Sequence, residues 1–375
     1  MPYLNAIGTA VPPIGLSQMQ IAAFMATILQ LGPIEQRKLQ ALYRSTKIEK
    51  RHSVLSDYGK QLGDFTFLPN TSDLEPFPRI SQRMALYQEQ ALPLALEAIS
   101  ACNLPQMGCS YTDITHLITV SCTGMYAPGL DIELVEQLGL HSTIHRTAIN
   151  FMGCYGAFNG LKVADAICRA DARAKVLLLC VELCTIHFQK KSTENHLLAN
   201  SLFADGAAAV LIEATPRGDK SLKMKSFYCD LLPEGKNEMA WQVADFGFEM
   251  VLSAYIPKLV KKGIGTLVER LMQQVDIQQD DISFYAVHPG GKAILEAIEQ
   301  SLNLTKHDNR YAYEILRQYG NMSSCTVLFV LQALLHDLSA ADTGKNILSC
   351  AFGPGLTLES MLLEVGGMNE VGGEK

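Results

Sequence analysis

Basic residues are in deficit in this sequence: 31 Lys and Arg stand against 38 Asp and Glu, a net charge of −7. The field of such a chain repels phosphate backbones and anionic membrane surfaces, so nucleic acid is not expected as a partner. Long apolar runs are missing too, and none approaches the ~18 residues that a membrane span needs. The N-terminus, Met1-Pro2-Tyr3-Leu4-Asn5, has no basic segment ahead of an apolar core. A protein that neither spans a membrane nor is exported, working in the cytoplasm, is the expectation. No two cysteines are spaced C-x-x-C. The ten present show no zinc-module spacing and mostly sit in apolar runs, as reduced, buried thiols would. No two of the nine histidines have helical metal-ligand spacing with a carboxylate, and no metal site is expected. Charged residues make up only 18% and hydrophobic residues 48%, with 28 Gly and 15 Pro in 375. That composition excludes disordered and fibrous chains and gives enough length for two or three domains.

Against these absences stands a weak internal repeat. The run 113–120, Asp-Ile-Thr-His-Leu-Ile-Thr-Val, is answered 168 residues later by 281–288, Asp-Ile-Ser-Phe-Tyr-Ala-Val-His. Lys175-Val176-Leu177-Leu178-Leu179-Cys180 is answered 170 residues later by Lys345-Asn346-Ile347-Leu348-Ser349-Cys350. Each run is short, aliphatic and bounded by polar residues, as a strand buried on both faces is. Between them lies, both times, a Gly-containing turn opening a helix of small residues, at Gly153-Cys154 and at Gly320-Asn321. The expectation is an α/β protein of two similar halves, 1–215 and 216–375, joined at Pro216-Arg217-Gly218-Asp219. Helical periodicity is also expected from Ser17 to Leu31 and from Ser81 to Cys102, the latter kinked at Pro93. Six Lys or Arg between 34 and 53 (Arg37, Lys38, Arg44, Lys47, Lys50 and Arg51) form a basic cluster. It reads equally as a solvated helix face or as an anion-binding rim.

The repeat offset sets Cys154 opposite Asn321 and Met322. Cys154 begins a helix rich in Ala and Gly, where free amides and the helix dipole are expected to lower its thiol pKa. His288 closes a buried strand and is followed by Pro289-Gly290-Gly291, at the strand end where open α/β sheets bind ligands. A Cys with a nearby His makes an activated nucleophile, and the Asn321 amide adds a neutral donor for an oxyanion or enolate.

Four segments carry a resemblance. They are Asn150-Phe151-Met152-Gly153-Cys154-Tyr155-Gly156-Ala157-Phe158, Ala286-Val287-His288-Pro289-Gly290-Gly291, Tyr319-Gly320-Asn321-Met322-Ser323-Ser324-Cys325, and 351–359, Ala-Phe-Gly-Pro-Gly-Leu-Thr-Leu-Glu. Together they resemble the type III polyketide synthases, the chalcone and stilbene synthase family, over about residues 3–364. The stretch after Cys154 is closer to the bacterial members. The resemblance implies a thiolase-like αβαβα fold, a homodimer, and a Cys154, His288 and Asn321 triad. It also implies Phe203 and Phe248 as gatekeeping aromatics, and Cys184, His187, Ala127, Ser323 and Gly355 around the substrate cavity. Ala127 matches the family's methionine that reaches across the dimer. Of the family's basic CoA contacts, Lys38 matches one, and Arg44 and Lys47 are the candidates to replace the others.

The implied activity is iterative decarboxylative condensation of malonyl-CoA onto an acyl-CoA starter carried on Cys154, followed by cyclisation, with no cofactor beyond the CoA thioesters. Ala127 and Ser323 point to a medium or long fatty acyl starter and an alkylpyrone or alkylresorcinol product. The alternative is a single-round condensing enzyme of the ketoacyl-ACP synthase III type.

Overall fold

The computed structural model describes residues 1–218 and 220–367; Asp219, named above at the expected join, lies outside them. The first part of the chain runs β1 (Tyr3–Ala10), β2 (Gly15–Ser17), α1 (Gln18–Ile28), α2 (Pro33–Ser45), β3 (Lys50–His52), α3 (Ile80–Ala101), β4 (His116–Ser121), α4 (Leu130–Leu138), β5 (His145–Asn150), α5 (Gly156–Ala170), β6 (Lys175–Leu183), α6 (Glu194–Leu202) and β7 (Asp205–Glu213). The rest runs β8 (Ser221–Leu231), β9 (Met239–Ala244), β10 (Gly247–Leu252), α7 (Ile256–Gln274), β11 (Ile282–Val287), α8 (Lys292–Leu302), α9 (Arg310–Tyr319), α10 (Thr326–Asp337), β12 (Asn346–Gly353) and β13 (Thr357–Gly366).

Nine strands form one sheet in the order β11-β12-β13-β8-β1-β7-β6-β4-β5. On one side β6 is parallel to β4, β7 antiparallel to β6, and β1 antiparallel to β7. On the other, β12 is parallel to β11, β13 antiparallel to β12, and β8 antiparallel to β13. The two sets repeat each other in order and sense, and meet where Tyr3 pairs Lys223 and Leu4 pairs Leu222. β5 is an additional edge strand on the first set.

The layers follow from the period-2 alternation of fully buried strands. Leu177 and Leu179 of β6 face a core shared with α1, α2, α3 and α4. Val176, Leu178 and Cys180 of the same strand face a second core, which holds α5 and α10 and takes Ile347 and Ala351 of β12 from the other side. The opposite face of β12, with Leu348 and Cys350, packs against α7 and α8. Helices, strands, helices, strands, helices: this is the αβαβα arrangement expected from the resemblance. Replacing a central residue such as Leu178, which is fully buried, by Ala would cost about 2–5 kcal/mol.

The helix expected around Pro93 is α3, with Pro93 inside it. Two expectations shift. The first helical stretch ends at Ile28, and a separate helix, α2, opens with Pro33. The 3₁₀ turns that open α5 and α10 are Gly153–Tyr155 and Ser323–Cys325. Cys154 is therefore opposite Ser324 in the repeat, and Asn321 precedes the matching turn, because the offset grows from 168 to 170 between strand and helix.

Candidate active site

Cys154 reaches its place by a backbone that only certain residues allow. After β5 the chain reverses through Phe151 (φ +61°) and Gly153 (φ +79°). A Cβ on Gly153 would lie 2.3 Å from Cδ of Pro354, so glycine lets the nucleophile turn abut the β12–β13 turn. The Gly153 amide donates to Sγ of Cys122 at 2.9 Å. His288 follows β11; its amide donates to the Cys350 carbonyl at 2.8 Å. Its ring meets that of Phe352 edge-on, centroids 5.5 Å apart. The imidazole is fully buried, and neither ring nitrogen has a hydrogen-bond partner.

Asn321 is set by backbone pairing with the segment after α6. Its amide donates to the Leu202 carbonyl and its carbonyl accepts from the Ala204 amide, both at 2.9 Å, so Phe203 and Asn321 form a bridge. α9 stops at Gly320 (φ +74°), where a Cβ would lie 2.9 Å from the Leu202 carbonyl. The side-chain amide is oriented at both ends: Nδ2 donates to the Gly290 carbonyl at 3.2 Å, and Oδ1 accepts from the Ser323 amide at 2.9 Å. One Nδ2 hydrogen is left for a ligand.

Cys154, His288, Asn321 and Phe203 line one cavity of about 410 Å³. The lowered thiol pKa expected of Cys154 is overturned. Burial pushes its thiol up to about 12, although the Ser323 and Asn321 side chains favour the thiolate. Burial pushes His288 down to about 3. Burial disfavours the charged form of each, because desolvation outweighs the helix start. Behind them Glu182, fully buried, accepts from the Cys122 amide at 3.0 Å, from Thr123 Oγ1 at 2.8 Å and from the Ser324 hydroxyl. Its burial raises the carboxyl to about 7, and it ties the turn after β4 to the one opening α10.

Of the other expected site residues, Cys184, His187, Phe248 and Ser323 line the same cavity. Ala127, matched to the family residue that reaches across the dimer, is exposed in the loop before α4 and is not part of this chain's own lining. Gly355 is not either; the cavity is lined by Pro354, and Gly355 borders a neighbouring groove. Lys38, Arg44 and Lys47 are exposed and outside the lining, whereas Ser45 and Thr46, at the end of α2, are part of it. Arg44 and Lys47 thus flank the rim, and Lys38 lies about two turns back. Arg51, counted in the basic cluster, is buried, as is its neighbour His52. Nine of the ten cysteines are buried; Cys229 is exposed.

The sequence reading missed Lys292, Trp241 and Met250, all lining residues. Met250 was legible as the next same-face residue after Phe248; Trp241, the chain's single tryptophan, has its role fixed only by folding. Among the described residues no helix is long and apolar enough to cross a membrane.

Residues 2–216 match the family described as chalcone and stilbene synthases, N-terminal domain, and residues 223–366 the C-terminal domain of the same family. Similar proteins include the alpha-pyrone synthesis polyketide synthase-like Pks18 of Mycobacterium tuberculosis, 29% identical over 366 residues, 96% of this chain and 91% of that one. The 3,5-dihydroxyphenylacetyl-CoA synthase of Streptomyces toyocaensis is 30% identical, covering 97% of this chain and 90% of that one. The crystal structure of PKS-I from the brown alga Ectocarpus siliculosus superposes with a TM-score of 0.89 at 28% identity, covering 97% of this chain and 98% of that one. With both halves matched and the thiolase-like layers in place, the chain belongs to the chalcone and stilbene synthase family, the acyltransferases known as type III polyketide synthases.

Proposed function

We propose that Cys154 carries the growing chain, that His288 exchanges protons with it, and that His288 and Asn321 together hold the oxyanion and the enolate. One observation supports this most: a thiol, an imidazole with two unpartnered nitrogens and an amide with a spare N–H line a single buried cavity. The thiol proton passes to His288 as the sulfur attacks the thioester carbonyl of an acyl-CoA starter. The tetrahedral oxyanion accepts from the imidazolium and from Nδ2 of Asn321. As the C–S bond breaks, the CoA sulfur leaves with the proton from His288.

Malonyl-CoA then loses carbon dioxide. The electrons of the broken C–C bond form an enolate, held by the same donors, in a cavity whose walls of Phe203, Phe248 and Met250 disfavour the carboxylate. The enolate carbon attacks the Cys154 thioester and the cysteine sulfur departs. The extended chain, now on CoA, returns to the cysteine until it cyclises. These steps draw on CoA thioesters alone.

Arg44 and Lys47 would receive the CoA phosphates at the rim and Lys38 farther back, with Lys292 among the lining residues. The apolar walls favour a medium or long fatty acyl starter and an alkylpyrone or alkylresorcinol, in keeping with the Mycobacterium tuberculosis relative named for alpha-pyrone synthesis. The chain would act as two halves, 1–215 and 216–375, in a homodimer in the cytoplasm. Labelled malonyl-CoA with a panel of acyl-CoA starters, read by mass spectrometry, tests the reading. Products with two or more extensions support it; a single extension would favour a ketoacyl-ACP synthase III-like reaction, and a strong preference for aromatic starters would overturn the fatty acyl assignment.

A further inference from the structure

The β9–β10 hairpin stands outside the nine-stranded sheet as a two-stranded sheet of its own, yet it supplies much of the cavity wall: Met239, Trp241, Phe248, Met250 and Leu252. It is tied at its tip by the Ile80 amide to the Asp245 carbonyl and by Gln189 to the Phe246 carbonyl, both at 2.9 Å, and along β10 by Lys191 to Glu249 at 2.7 Å; two further ties reach the turn after β4. Nε1 of Trp241 donates to the Cys122 carbonyl at 2.6 Å. His187, at the end of the turn that follows β6, does more. The Phe248 amide donates to its Nδ1 at 2.9 Å. The proton therefore sits on Nε2, 2.6 Å from the Thr123 carbonyl, to which it donates. The ring also stacks on Phe248, centroids 4.2 Å apart at 10°, and meets Trp241 edge-on at 5.7 Å. It is buried, and both nitrogens are spent on main chain. His187 thus presents the cavity with a neutral ring that has no hydrogen-bonding capacity left for a ligand.

We propose that His187 is a positioning residue, a clip that bolts the β9–β10 hairpin to the turn after β4 and so fixes the cavity wall that decides when chain extension stops. An iterative enzyme stops extending when its cavity is full, so a wall that holds one position gives one chain length, and a wall that yields gives several. This second step rests on the synthase reading; the bolting does not. Gly247 fits the same picture, since a Cβ there would lie 3.2 Å from Nδ1 of His187 and 2.9 Å from Cδ of Arg83.

His187→Phe keeps a flat ring for stacking on Phe248 and removes both hydrogen bonds. Two readouts follow. Hydrogen exchange of the amides in 239–252, that of Phe248 first, should accelerate about tenfold or more, while those of β6 and β7 keep their wild-type rates. With one acyl-CoA starter and malonyl-CoA, the product spectrum should broaden from one dominant chain length to several. Trp241→Phe, which removes the other tie to the turn after β4 and keeps a ring, should shift both readouts in the same direction by less, and it serves if His187→Phe does not fold. Wild-type exchange across the hairpin in the folded variants would overturn the clip. Faster exchange with an unchanged product spectrum would overturn its control of chain length. A wild-type chain that extends no starter at all contradicts the synthase reading and leaves the clip to be decided by exchange.

Discussion

Arg51 donates from Nη1 to the main-chain carbonyl of Phe203 at 2.6 Å, and Phe203 is the residue bridged to Asn321. The guanidinium is buried, with Nε bound to Gln18 at 2.8 Å. It therefore holds the strand of backbone on which both a cavity aromatic and the candidate oxyanion donor depend. A lysine has one point charge where Arg51 uses a fork, so it cannot reach both partners in the same geometry. Arg51→Lys is expected to lower kcat/KM about ten- to a hundredfold, mostly in kcat, through misplacement of Asn321. Steady-state kinetics on a folded variant check it; an unchanged kcat would remove Arg51 from the positioning of the site.

Gly153, next to Cys154, lies against Pro354 with no room for a side chain. At φ +79°, with a Cβ 2.3 Å from proline Cδ, Gly153→Ala should destabilise the fold by about 2 kcal/mol or more. It should also displace the thiol, with condensation falling further than stability does. Thermal unfolding alongside a product assay separates the two effects, and wild-type values in both would show that the turn has room to relax.

His187 also predicts a pH dependence. Burial is the main cause holding its pKa at about 3, with the Arg83 charge adding to it and the Thr123 bond opposing. The folded value lies below the ordinary 6.5, so the unfolded chain takes up the proton first as pH falls. The neutral ring's contribution is fully present above about 6.5 and is lost progressively toward 3. Between pH 7 and pH 5 the wild type should lose about 2 kcal/mol relative to His187→Phe. Denaturant unfolding of both proteins at the two pH values measures this difference, and a gap that does not change with pH would contradict it.

The layers and the nucleophile were legible because they are written locally. Val176 to Cys180 announce a strand buried on both faces, and Gly153, Pro289 and Gly320 punctuate the three turns that deliver Cys154, His288 and Asn321 to one cavity. What escaped was everything set by contact between distant segments. Arg51 reads as one more charge in a basic cluster until Gln18, Tyr43 and Phe203 enclose it. His187 is readable as a cavity residue, but its ties to Thr123 and Phe248 lie some sixty residues away in each direction. The thiol pKa of Cys154 was expected low from the helix that follows it, and burial, which no local pattern reports, reverses the direction. Gly355 was carried over by motif alignment and falls outside the lining, since a loop's course is not encoded in its match to a motif.

Substitution of the nucleophile separates the chemistry into parts. In Cys154→Ala the donors for the enolate remain, so malonyl-CoA decarboxylation should persist while condensation disappears. In Asn321→Ala both should fall, by about a hundredfold or more for the donor lost. Equal loss of both reactions in the two variants would mean that decarboxylation needs the thiol.

The most direct test is mass spectrometry of the protein itself after brief exposure to a fatty acyl-CoA, with and without malonyl-CoA. The acyl group is predicted on the peptide that carries Cys154, lengthened by successive two-carbon units when malonyl-CoA is present, and absent from Cys154→Ala. An acyl group found on another cysteine, or extension undiminished in Cys154→Ala, would contradict the assignment of Cys154 as the residue that carries the chain.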